Sequence, residues 1–100
     1  MSSGSVSRRV AITGIGAITA LGPDAASFDR GLREGRCGVG PLRLFDGTGF
    51  RTQLAAEAPE PIADAGSVAP ASRPDRFGVQ AALEAVAQAG LSSSDLEAAA

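Results

Sequence analysis

Val10-Ala11-Ile12-Thr13-Gly14-Ile15 is the one strongly β-branched run in this chain, and it constrains the fold more than any other feature. It is short and nearly continuous in apolar character. A strand with one wet face alternates apolar and polar residues, whereas a strand covered on both faces inside a parallel sheet does not. The run therefore predicts a buried parallel strand. Such a strand needs parallel neighbours reached through crossover helices, yet no second run of this kind follows Ile15. Either residues 10–15 are not a buried strand, or the chain opens a larger α/β domain. Composition bears on the choice, because 20 of the 100 residues are Ala and only 22 are Ile, Leu, Val or Phe. A core built here would be thin and largely methyl-sized.

The elements around the run are legible from their punctuation. Residues 1–7 are small and polar and read as a disordered lead-in. Asp24 is placed to cap a helix that carries Phe28 and Leu32 on one face, with Gly35 as its left-handed stop. The Gly-rich stretch from Gly35 to Phe50 suits turns rather than regular structure, and Thr52–Ala58 alternates weakly as a short outer strand. Ala58–Pro74 holds four of the six prolines and reads as a loop or surface excursion. A second helix over Pro74–Ala89 is announced by the Ser72/Asp75 capping box, with Phe77, Val79, Ala81, Leu83 and Val86 as its apolar band. Gly90-Leu91 gives a Schellman-type stop, and Ser92–Asp95 could cap a further helix that Ala100 ends before it develops.

Absent residue types exclude most reaction chemistry. With no His, Lys, Trp or Tyr and the single Cys37, the chain cannot supply a Ser-His or Cys-His pair, a Schiff-base lysine or the usual zinc ligands. No metal site and no cofactor site is expected. Nine Arg against eleven acids give a net charge of −2 without a basic, aromatic-interleaved run, so nucleic acid is not an expected partner. One cysteine cannot close an internal disulfide, which fits a reducing compartment. Ser7-Arg8-Arg9 before an apolar stretch superficially resembles a twin-arginine export signal. Gly14, Gly16 and Gly22 interrupt that stretch and no A-x-A site directly follows, so a cytoplasmic location is expected. No segment approaches the about 20 apolar residues of a membrane span.

A strand followed by Gly14-Ile15-Gly16 invites a dinucleotide-binding reading, in which a Gly turn brings pyrophosphate to a helix N-terminus. The spacing fails it. The third glycine would stand at position 19, which is Thr19; the capped helix begins only near Asp24; and no acidic residue ends a second strand at the ribose-binding distance. The plainer reading is a structural turn at Gly14, Gly16 and Gly22, where a Cβ would crowd the backbone.

The order of motifs is more specific than any one of them. Arg8-Arg9-Val10-Ala11-Ile12-Thr13-Gly14-Ile15-Gly16-Ala17-Ile18-Thr19-Ala20-Leu21-Gly22 closely resembles the N-terminal signature of β-ketoacyl-acyl-carrier-protein synthases of the type II elongating class, the thiolase-fold condensing enzymes. Ser27-Phe28, Gly35-Arg36-Cys37-Gly38-Val39-Gly40-Pro41, Phe45-Asp46, Ala56-Glu57, Asp75-Arg76-Phe77 and Ala89-Gly90-Leu91 follow in the family's order, so the resemblance spans roughly residues 8–91.

The resemblance implies an α/β chain that is the N-terminal fragment of a five-layered αβαβα thiolase-like fold, with residues 8–100 an incomplete part of the synthase domain. It implies a parent acyltransferase of fatty acid biosynthesis that extends acyl chains by decarboxylative Claisen condensation with malonyl-acyl carrier protein, working as a homodimer. The family's catalytic cysteine and two histidines lie beyond the stretch matched here, so no catalytic residue is expected in this chain and the chain alone is expected to be inactive. Cys37 falls where the family usually has a small residue and reads as packing rather than nucleophile. Arg73 and Arg76 fall in or beside positions that help receive the acidic carrier protein, although Ser72 and Pro74 depart from the usual basic residue and Met there; two solvated arginines are the simpler alternative. Two rivals stay open: a non-condensing chain-length-factor-like partner of a polyketide system, and a small nucleotide-binding module at Gly14 and Gly16.

Overall fold

A computed structural model describes residues 7–61 and 72–99. Most of the expected lead-in and most of the Ala58–Pro74 excursion therefore lie outside the described residues. The rest is a small mixed α/β arrangement of α1 (Ala25–Arg33), β1 (Val39–Pro41), β2 (Leu54–Ala56), α2 (Arg73–Ala89) and α3 (Ser93–Ala99).

The helices begin and end where their local chemistry dictates. Asp24 sits in extended backbone and its Oδ1 accepts from the Ser27 amide at 2.7 Å, satisfying one of the free N–H groups at the start of α1. That bond and the Ser27 side chain hold the Asp24 carboxyl below its ordinary value. Ser72 and Asp75 form the reciprocal capping box of α2, with Pro74 in the first turn. The stop of α2 is a Schellman arrangement: the Gly90 amide donates to Ala87 O at 3.1 Å and the Leu91 amide to Val86 O at 3.2 Å, with Gly90 at φ 71°. A second capping box follows at once, because Ser92 and Asp95 exchange bonds of 3.2 and 2.8 Å. It builds α3 as far as Ala99, so this helix develops further than the sequence suggested.

Two stretches differ from the sequence expectation. The first is the Gly-rich connection, which contains a strand: β1 pairs antiparallel with β2, register Val39↔Ala56, Gly40↔Ala55 and Pro41↔Leu54. A two-stranded ribbon consists only of edges, so Pro41 is tolerated although it cannot donate to the ladder. Beyond it the Leu42 amide donates to Gln53 O at 2.8 Å, and the loop between closes on Gln53 Nε2, which donates to Gly47 O at 2.6 Å and to Phe50 O at 3.1 Å.

The second is the run 10–15 itself. It joins no sheet among the described residues, and Val10 and Ile12 are 91% and 85% exposed, so the expected buried parallel strand is not formed here. The physical reason is the one that its isolation raised: among the described residues no parallel neighbour is present to pair with it. No large apolar side chain is fully buried among the described residues, in keeping with the thin supply of bulky ones.

Candidate functional site

The glycine segment packs against α2 and is held there by one stripe of its side chains. Gln80, Glu84 and Gln88 recur every four residues, which places them on one helix face. Gln88 Oε1 accepts from the Ile15 amide at 2.7 Å, and Glu84 Oε1 accepts from the Ala17 amide at 2.9 Å. The same carboxylate reaches the Ala25 amide with both oxygens, at 3.2 and 3.0 Å. Gln80 Nε2 donates to Pro23 O at 3.3 Å. Glu84 thus adds a second negative charge, beside the N-cap carboxylate of Asp24, at the N-terminus of α1 that favours it.

Beside the polar stripe runs a small-residue stripe, Ala81, Ala85 and Ala89, on which the glycines sit. A Cβ at Gly14 would run into the Ala85 carbonyl oxygen and stand 2.9 Å from the Ala89 nitrogen. One at Gly16 would run into the Ala81 carbonyl oxygen and lie 2.8 Å from its carbon. Both obstacles are helix backbone, which cannot swing aside as a flexible side-chain tip can. Gly22 serves a different purpose. It closes a tight turn in which the Thr19 amide donates to Gly22 O at 2.9 Å and the Gly22 amide to Thr19 O at 3.0 Å, and its φ of 151° disfavours other residues.

This arrangement bears on the phosphate-cradle reading. A cradle presents free backbone N–H groups to an anion. Here the Ile15 and Ala17 amides are already taken by side-chain oxygens, one of them from a carboxylate that would repel pyrophosphate.

Arg73 and Arg76 lie together on the first turns of α2, and both face the segment that enters from β2. Arg73 Nη2 donates to Ala58 O at 3.0 Å, its Nη1 stands 2.7 Å from Glu60 Oε1, and its guanidinium stacks 4.9 Å over the Phe77 ring. Arg76 Nη2 donates to Pro61 O at 3.1 Å. Each guanidinium thus clips a carbonyl of residues 58–61.

Cys37 is exposed, in an open cleft of about 270 Å³ between the Thr19–Gly22 turn and β1, with Ala20, Arg43 and Glu57 on its walls. Its Sγ lies 3.8 Å from Val39 O. The nearby carboxylate is already committed: Glu57 Oε2 accepts from the Arg43 and Leu44 amides at 3.0 and 2.7 Å, and those bonds hold its carboxyl below the ordinary value. With no imidazole anywhere in the chain, no base is placed to activate the thiol. Among the described residues, no group of three His, Cys, Asp or Glu could hold a metal ion, and no helix is long and apolar enough to cross a membrane.

The Gly-x-Gly segment is thus held on a capped, alanine-rich helix by side-chain bonds and close backbone approach. Its family is defined by comparison: residues 7–100 match the model described as "Beta-ketoacyl synthase, N-terminal domain", and the chain belongs to that family. It is 41% identical over 88 residues to nodulation protein E of Rhizobium sp. (strain N33), a match covering 85% of this chain and 22% of that protein. It is 38% identical over 86 residues to 3-oxoacyl-[acyl-carrier-protein] synthase 2 of Coxiella burnetii, covering 82% of this chain and 20% of that one. Against the actinorhodin polyketide putative beta-ketoacyl synthase 1 of Streptomyces coelicolor the identity is 36% over 94 residues, 90% of this chain and 20% of that one. The chain thus spans about a fifth of the length of the curated relatives it matches. No solved structure gives a significant match.

The sequence singled out Gly14, Gly16, Gly22, Arg73 and Arg76 but not Glu84 or Gln88, whose side chains bond the glycine segment. The available signal was the i, i+4 polar series beside an i, i+4 alanine series on α2, which marks a face approached closely by backbone.

Proposed function

We propose that this chain is the N-terminal segment of a 3-oxoacyl-[acyl-carrier-protein] synthase of the type II elongating class, and that its own role is structural. The observation that carries the reading is the family match over nearly the whole chain, joined to a fifth-length overlap with relatives that include synthase 2 of Coxiella burnetii. The absence of His and the glycine strap on α2 support a scaffold role.

In the parent protein the reaction would run on groups supplied by the rest of the domain. An acyl group held as a cysteine thioester is attacked by the carbanion formed when the malonyl thioester loses CO2. The cysteine thiolate leaves, and a 3-oxoacyl thioester two carbons longer remains on the carrier. Backbone N–H groups stabilise the oxyanion of the attack, and two histidines stabilise the enolate. The exposed Val10 and Ile12 are a strand's worth of apolar surface suited to a larger sheet, which supports the five-layered thiolase-like fold for the complete domain. Homodimer formation, a cytoplasmic location and carrier contact through Arg73 and Arg76 belong to the same proposal. Both guanidiniums lie at the start of α2, bonded to carbonyls of residues 58–61.

The polyketide relatives favour a second reading, in which the parent serves a polyketide system, either condensing or as a non-condensing chain-length partner. One assay separates a condensing synthase from a non-condensing partner: the protein from the complete reading frame, given acyl-loaded and malonyl-loaded carrier protein. Release of CO2 with formation of a 3-oxoacyl carrier two carbons longer is expected. Decarboxylation without carbon–carbon bond formation would favour the non-condensing partner and refute the elongating synthase.

A further inference from the structure

No further inference is drawn: the strongest candidate, the exposed apolar surface of the β1–β2 ribbon with Val39, Leu54 and the edge-to-face pair Phe45 and Phe50 in its connecting loop, carries nothing because nothing in the structure shows what covers it.

Discussion

Replacing Glu84 by Ala should release the glycine segment and the start of α1 from α2 together. The carboxylate accepts from the Ala17 amide at 2.9 Å and from the Ala25 amide at 3.2 and 3.0 Å, and all these groups are half-buried. An orphaned donor costs about 1–3 kcal/mol when fully buried. Partial exposure lets water replace some of that, so the two amides together should cost about 2–3 kcal/mol, with a small further loss at the α1 N-terminus. At about 1.4 kcal/mol per tenfold, amide hydrogen exchange at Ala17 and Ala25 should accelerate by about one to two orders of magnitude. Glu84→Gln is the informative partner. It keeps an amide oxygen for the position from which Oε1 serves both donors, and loses only the charge and the second oxygen, so it should retain most of the protection. The Leu91 amide, bonded within the helix stop to Val86 O, is the internal control and should be unaffected. Exchange at Ala17 and Ala25 that is unchanged in Glu84→Ala, in a protein that remains folded, would refute the strap.

Four further outcomes follow from the same contacts. Gly16→Val should sharply lower the soluble yield of the intact protein, since its first added carbon meets the Ala81 carbonyl and overpacking costs about 1–3 kcal/mol or more; wild-type yield would count against close packing. Arg73→Glu should raise the Michaelis constant for carrier-linked substrate about fivefold, the worth of one exposed charge contact, while Glu60→Gln, which frees Arg73 but leaves its charge, should not; an unchanged constant in Arg73→Glu would remove the docking role. Asp24, Asp46, Glu57 and Asp95 all have carboxyls held low by hydrogen bonds, so their stabilisation is complete above the ordinary values of 3.8 and 4.5 and is lost as pH falls through their lower folded values. Circular dichroism from pH 7 to pH 2 should show order persisting through pH 5 and fading below 4, and a chain that gained order on acidification would contradict that sign. Ile12→Ala should cost only a few tenths of a kcal/mol in the 100-residue chain, where Ile12 is 85% exposed, yet about 2–5 kcal/mol in a complete synthase domain that buries it; equal denaturation midpoints for both complete proteins would show that the run stays exposed.

What the sequence made legible was local. Asp24 with Ser27, Ser72 with Asp75, and Gly90 with Leu91 are written within a few residues of each other, and each forms as its spacing predicts. Pairings over distance were not legible in the same way. Val39–Pro41 carries two turn-forming residues in three and becomes a strand only because Leu54–Ala56 lies alongside it, a fact that no local propensity contains. Glu84 carries no local signal of its role; its partners are backbone amides 59 and 67 residues earlier in the chain. The strand expected at residues 10–15 is not formed in this chain for the complementary reason: the pattern describes what the run is suited to, and suitability does not supply a neighbouring strand.

The register of the strap on α2 explains why that failure falls at Val10 and Ile12 rather than at the glycines. The segment runs antiparallel to the helix, with Gly16 over Ala81 and Gly14 over Ala85 and Ala89. Two extended residues advance about 6.6 Å and four helical residues about 6 Å, so each step back by two along the segment moves four residues further along α2. Continued at that rate, Ile12 falls at Ala89, the last residue of α2, and Val10 a full turn beyond the helix end. There the Schellman stop has already turned the chain away into α3. Period-two geometry puts residues 10, 12, 14 and 16 on one face, so α2 covers that face at the glycines and ends where the bulky residues begin. The glycines and the β-branched residues are thus two halves of one surface. The first half needs no side chain because helix backbone lies directly against it, and the second carries the apolar bulk that a covering layer beyond the helix end would have to bury.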